Sequence, residues 1–366
     1  MKTICYYISD YGYGHATRSI ALIRSLIKYA PNQYRIIVCS KNALPFIRES
    51  LKGEGSNNII YRESTSDLGY VLKEGAIDTD PILFKSKYLD YIESLPFNIQ
   101  KEAEFIASEH ASLVISDISP IPIAAARIAR VKSLGISNFT WYTAYKDLLS
   151  LKYLQPLFHA YSQMDNFISL AGSNEPHWCK RVMTMKADYF CRDTDGDEVQ
   201  RLINKLNPRQ NKCIIYFALG MSIQASSLDS LKMWQDDSCV FVVSSNMNIA
   251  RENIHSIPSS YTESQNYVAA ADLIITKPGW GTVGEAVSLH KPLLLLNREL
   301  LREDYNTIDS LNGRHPYQLT TWELLKVMNV KTTIARLVSS RTTKQNGNSD
   351  WHKRNVAKFV DQFIAT

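Results

Sequence analysis

Thr276-Lys277-Pro278-Gly279-Trp280-Gly281-Thr282-Val283-Gly284-Glu285-Ala286 follows the apolar run Leu273–Thr276 and leads into a helical pattern. A glycine-rich turn between strand and helix lets a ligand approach the main chain, and the N-terminus of the following helix favours negative charge. Gly279 and Gly281 would let backbone N–H groups and the Thr282 hydroxyl meet a diphosphate, with Lys277 adding positive charge. Glu285, one turn into the helix, can accept two hydrogen bonds from a ribose diol. The plainer alternative is a connector rich in glycine for its turn alone.

Strand and helix patterns alternate on both sides of this segment, the mark of parallel sheets wrapped by helices. Cys213–Ala218, Cys239–Ser244, Leu273–Thr276 and Leu293–Leu296 read as the strands of a second α/β domain. Gly220 and Ser222, just after the first of these, are expected to add phosphate contacts. Thr3–Ser9 and Tyr34–Ser40 read as buried strands, and Ile20, Ile23 and Ile27 between them mark a helix of period near 3.6. Leu113–Ser116 is a further strand ending in Asp117, and a helix is expected over Ala124–Ala129. The polar stretch Arg192–Asn211 reads as the boundary. This predicts domains over 1–195 and 211–350, with 351–366 beyond them. Residues 62–95, rich in Tyr, Lys, Asp and Glu, read as an insertion or lid over a cleft.

The first domain carries its own strand-to-helix motif, Gly12-Tyr13-Gly14-His15-Ala16-Thr17-Arg18, at the carboxyl edge where open α/β sheets bind ligands. It is not the dinucleotide fingerprint, because position 17 is Thr. His15 is placed to face the crevice, and imidazole is the side chain most easily tuned for proton transfer near neutral pH. Asp117 reaches the same edge if the two strands are parallel neighbours, where it would orient the imidazole and stabilise its protonated form. A tight turn with a helix-capping His15, and an Asp117 that caps the next helix, are the plainer readings. Gly14 and Arg18 would line the cleft, and Trp141 and Tyr142, in the run Phe139–Tyr145, belong either to an acceptor pocket or to the core.

Composition narrows the class. The chain has 366 residues, 45% hydrophobic and 21% charged, with 15 Gly and 13 Pro, which suits two globular domains and excludes collagen-like and disordered classes. Its net charge of +5 comes without basic runs, so it suits a phosphate-bearing ligand and does not argue for nucleic acid. The 6 cysteines form no C-x-x-C pair, so neither a zinc module nor a disulfide scaffold is indicated. No 18-residue apolar segment appears and the N-terminal apolar stretch is too short for a signal peptide, so a cytoplasmic protein without an integral membrane segment is expected.

Lys277–Glu285, followed by Glu303-Asp304-Tyr305-Asn306, resembles the donor-binding signature of nucleotide-sugar glycosyltransferases of the GT-B fold, two Rossmann-like domains whose parallel sheets face across a cleft. Lys277 stands where plant members place a phosphate-binding His, and Tyr305 where they often have Gln. The resemblance implies that Gly279–Thr282 holds the diphosphate, Glu285 the ribose, that Asp304 lies near the sugar hydroxyls, and that 351–366 is a helix crossing back to the first domain. His15 and Asp117 match the positions of a base dyad in those enzymes. Together with the Gly12–Arg18 motif, the chain is most similar to the glycosyltransferase-like N-terminal region of plant arabinose kinases and its bacterial stand-alone relatives. The function implied is an inverting transfer from a nucleotide diphosphate-sugar, UDP by default, to a hydroxyl acceptor, with no metal and no cofactor beyond that co-substrate. A nucleotide-sugar hydrolase or epimerase, or a non-catalytic nucleotide-sugar binder, are the alternatives. Asp193-Thr194-Asp195 and Asp78-Thr79-Asp80 mimic metal motifs, but neither follows a strand.

Overall fold

The computed structural model describes residues 1–54, 58–73, 79–179, 185–220, 228–247, 249–298, 301–339 and 348–366. The apolar runs of the first half become strands, buried at the centre of the sheet and more exposed at its edges β3 and β7: β1 (Lys2–Ile8), β2 (Tyr34–Ser40), β3 (Ile59–Glu63), β4 (Ala111–Asp117), β5 (Lys132–Ser137), β6 (Asn166–Leu170) and β7 (Met185–Ala187). They pair, all parallel, in the order β3-β2-β1-β4-β5-β6-β7. The second half forms another parallel sheet from β8 (Cys213–Ala218), β9 (Cys239–Val243), β10 (Ile254–Ser256), β11 (Leu273–Thr276), β12 (Leu293–Leu296) and β13 (Tyr317–Thr320), ordered β10-β9-β8-β11-β12-β13.

Both orders reverse direction beside their first strand, between β1 and β4 and between β8 and β11. Loops leaving such a pair diverge to opposite faces, and the crevice they open at the carboxyl edge is where ligands bind in these sheets. The register sets Ile8, the last residue of β1, directly beside Asp117, the last of β4. On the helix Tyr13–Tyr29, Ala16, Ile20, Ile23 and Leu26 are buried against the sheet while Lys28 and Tyr29 face out, the spacing that drives an amphipathic helix onto a core.

Two expectations about organisation change. The polar stretch read as a linker contains a helix, Gly196–Leu206, whose N-terminal donors are taken by the Asp195 carboxylate. Its apolar positions Val199, Leu202, Ile203 and Leu206 keep helical spacing and pack into the main core, the last element of the chain before β8. Residues 62–95 are not an insertion. After β3 an extended segment carries the buried Asp67 and Tyr70, and the helix Pro81–Ser108, capped by Asp80, is the crossover to β4; residues 74–78 of that stretch lie outside the described residues. Asp80 and Asp195 are therefore helix caps. The last helix, Ser349–Ala365, packs on the helix Tyr13–Tyr29, and its end receives Lys2 Nζ at Ile364 O (3.3 Å) and Lys132 Nζ at Phe363 O (3.2 Å). All six cysteines are free thiols. Among the described residues no three His, Cys, Asp or Glu side chains gather as a metal-holding group, and no helix is long and apolar enough to cross a membrane.

Candidate active site

His15 stands in the first turn of the helix that follows β1, and Nδ1 lies 2.8 Å from Asp117 Oδ1. Both side chains are nearly excluded from solvent. Arg18, one turn further, donates from Nε to Asp117 Oδ2 (2.7 Å) and from Nη2 to Oδ1 (2.5 Å), and Ser19 Oγ donates to Oδ2 (3.0 Å). The same guanidinium reaches Ser137 Oγ (3.0 Å), the last residue of β5, and Asn138 Oδ1 (2.6 Å) just after it. Burial pushes the Asp117 carboxyl up, but the charges and hydrogen bonds of Arg18 and His15 outweigh it and hold the group well below the usual carboxylate range. Asp117 is therefore an acceptor at any ordinary pH. His15 must donate from Nδ1, and in the neutral imidazole Nε2 carries the free lone pair. The 2.9 Å approach of Arg18 Nη2 to His15 Nδ1 is then two donors converging on one carboxylate.

Across the crevice, β11 ends in Thr276, whose hydroxyl donates to Ala218 O of β8 (2.7 Å) and ties the glycine loop to the sheet. Gly279 caps the helix Trp280–Ser288. Gly220 has φ +98°, and a Cβ there would stand 3.1 Å from Lys277 Cε, so the lysine lies across that glycine. Burial and the neighbouring Arg298 lower the Lys277 ammonium to about 8, against the pull of Asp304 and Glu303. Glu285 Oε1 accepts from Arg192 Nη2 (3.0 Å), and Arg192 also donates to Thr262 O (2.5 Å) and Ser264 Oγ (3.0 Å). Burial raises the Glu285 carboxyl and Arg192 opposes it.

The two loops meet. A Cβ on Gly281 would stand 2.6 Å from Gly14 Cα, so only glycine fits this crossing of backbones from different lobes. The Arg18 guanidinium lies 5.2 Å from the centre of the Trp280 ring, and the Trp280 indole N–H donates to Ala171 O (3.1 Å). Around this crossing lies a cavity of about 470 Å³ lined from both lobes by Gly14, His15, Arg18, Gly220, Lys277, Gly279, Gly281, Thr282, Glu285 and Asp304. Asp117 stands behind His15, outside the lining.

No family model matches the chain. The L-arabinokinase of Arabidopsis thaliana is 23% identical over 307 residues, which cover 82% of this chain and 28% of that protein. The chain thus spans just over a quarter of the curated relative it matches. Among solved structures, CalG4, the calicheamicin glycosyltransferase, matches 100% of this chain and 98% of its own at a TM-score of 0.65 with 13% identity. Arabidopsis thaliana UGT89C1 complexed with UDP matches 100% of this chain and 99% of its own at 0.63 with 10% identity. The fold is GT-B.

Within this GT-B frame some expected site residues lie elsewhere. Trp141 is core: its indole N–H donates to Asp67 Oδ2 (3.0 Å) and its ring stacks on Tyr145 at 5.1 Å. Tyr142 packs with Phe158 and Trp178 at 5.3 and 5.4 Å. Neither lines the cavity; of that aromatic run it is Phe139 that does, its ring 5.9 Å from the His15 ring. Asp304 lines the cavity, yet both its oxygens are taken by Arg298, Nε to Oδ2 and Nη2 to Oδ1, each at 2.6 Å. Ser222 lies outside the described residues. Sequence reasoning missed Arg298, although it sits two residues past the end of β12, where the rule that singled out Asp117 applies. It also missed Arg192, for which position in the chain carries no signal, and Tyr70, whose hydroxyl crosses between GT-B lobes to donate to Glu303 Oε2 (2.5 Å).

Proposed function

We propose that the protein transfers a glycosyl group from a nucleoside diphosphate-sugar, with UDP as the nucleotide, to a hydroxyl acceptor with inversion at the anomeric carbon. The observation that supports it most is that His15, oriented by Asp117, and the Lys277–Thr282 loop share one cavity from opposite lobes. His15 Nε2 takes the acceptor hydroxyl proton as its oxygen bonds to the anomeric carbon. The bond from that carbon to the diphosphate oxygen breaks on the opposite face. The electron pair leaves with the diphosphate, where the helix N-terminus at Gly279–Thr282 and the Lys277 ammonium meet the new charge. A positioned base contributes about 10²–10⁴-fold and fixed donors aimed at developing charge a comparable factor. Lys277 and the helix N-terminus supply the positive charge at this end, so no metal ion enters the scheme. Glu285 takes the ribose with the carboxylate oxygen that Arg192 does not occupy. UDP as nucleotide is supported by the UDP complex of UGT89C1, and a ring-bearing hydroxyl acceptor by the same enzyme's quercetin complex.

Titration with UDP, followed by product analysis with and without a panel of hydroxyl acceptors, tests the proposal. UDP binding with acceptor-dependent UDP release supports it. Release into water at the same rate without any acceptor refutes transfer, and no response to any nucleotide refutes the whole reading.

A further inference from the structure

The end of the cavity beyond Lys277 holds a set of polar groups that the proposed chemistry leaves unused. Arg298 is 2% exposed, and its Nη1 has no hydrogen-bond partner. Tyr11 Oη, from the first lobe, lies beside the Arg298 guanidinium with no acceptor for its own proton, and Thr307 Oγ1, from the helix Arg302–Leu311, is buried there without a partner. All three residues line the cavity.

The carboxylates of this end already hold hydrogen bonds. Asp304 has both oxygens on Arg298, and Glu303 takes the Tyr70 hydroxyl. Burial and the Asp304 charge raise the Glu303 carboxyl to about 7, so near neutral pH it carries only part of a charge. A neutral sugar needs acceptors for its hydroxyl protons, and the carboxylate acceptors among the described residues here are the remaining lone pairs of Asp304 and Glu303. Beside them stand one cation with a free N–H and two hydroxyls able to donate. A buried donor without an acceptor is costly, on the order of 1–3 kcal/mol and more for a charged group. The group that satisfies such a set is acceptor-only and negatively charged. Lys277 and the Gly279–Thr282 loop already face the diphosphate, so this second anion belongs to the transferred sugar.

Resting on the donor reading above, we infer that the sugar end of the cavity recognises a carboxylate on the transferred group, making the donor a nucleotide-linked uronic acid. The carboxylate takes Arg298 Nη1 as its charged partner, with Tyr11 and Thr307 donating to its remaining lone pairs.

Calorimetric titration of the native protein with UDP, UDP-glucose, UDP-xylose and UDP-glucuronate tests this. UDP-xylose is the glucuronate donor without its carboxylate, so the pair isolates that group. UDP-glucuronate is expected to bind about tenfold or more tightly than UDP-xylose, the size of one charge-assisted hydrogen bond in a buried site. In the double variant R298Q/D304N, which keeps a neutral hydrogen-bonded pair in place of the ion pair, the ratio of the two affinities is expected to fall to near one. UDP binding with equal affinity for UDP-xylose and UDP-glucuronate overturns the carboxylate inference alone. An unchanged ratio in the double variant overturns the assignment to Arg298. Absence of UDP binding overturns the donor reading beneath it.

Discussion

Replacing Gly281 by Ala tests whether the two lobes must touch for catalysis. The added Cβ would stand 2.6 Å from Gly14 Cα and 3.3 Å from Gly14 O, backbone atoms that no side-chain rotation moves aside, with Thr17 Oγ1 at 3.2 Å. Ordinary contact requires at least 3.4 Å. The loops must therefore part by roughly 1 Å, and a displacement of that size between reacting groups costs on the order of 10²-fold in rate. Overpacking of this kind costs about 1–3 kcal/mol where the structure cannot yield, and less here if the lobes swing apart. The expected result is a turnover number about 100-fold lower, with a smaller loss of UDP affinity because Gly281 belongs to the loop proposed to hold the diphosphate. Gly196→Ala is the control: nothing lies within 4 Å of its Cβ, and neither turnover nor melting temperature should fall. Steady-state kinetics with UDP titration on both variants decides the matter. Full turnover in Gly281→Ala would refute the claim that close approach of Gly14 and Gly281 positions the base against the leaving group.

His15→Ala should lose about 10²–10⁴-fold in turnover with UDP affinity unchanged, read from kinetics and calorimetry on one preparation. Asp117→Asn leaves the buried Arg18 without its counter-charge and should destabilise by about 3–5 kcal/mol, measured by denaturant unfolding. In the wild-type protein the Asp117 carboxyl is depressed on folding, so its contribution to stability is full above the ordinary carboxylate range and is lost as pH falls below it. UDP affinity should hold steady up to about pH 8 and weaken above it. The Lys277 ammonium, lowered to about 8, is the form that attracts the diphosphate and is lost as pH rises, and Lys277→Met should flatten that limb.

Much of the candidate site's placement was legible because parallel sheets bring strand ends to one edge. His15 and Asp117 are residues just past or at the ends of neighbouring strands, and Ile8 pairing with Asp117 brings them to one edge. The same positional rule, carried on to β12, points to Arg298. Aromatic residues were not legible, because a Phe, Trp or Tyr suits a ligand wall and a core equally well; in Phe139–Tyr145 only the first ring faces the cavity. The helix Gly196–Leu206 was hidden by charge: seven of its eleven residues are polar or Gly and only the spacing of its apolar positions reveals it. Arg192 was beyond reach, since its partners Thr262, Ser264 and Glu285 lie at least 70 residues away along the chain.

Lys2 begins β1 at the amino edge of its sheet, and its ammonium holds the last turn of the final helix, so the two ends of the chain emerge side by side on the rim opposite the crevice. A polypeptide fused to either end would leave the mouth of the cleft clear, and a short peptide joining the ends would permit new termini to be cut into a surface loop. The seam between these two segments thus lies on the side of the molecule away from the cavity.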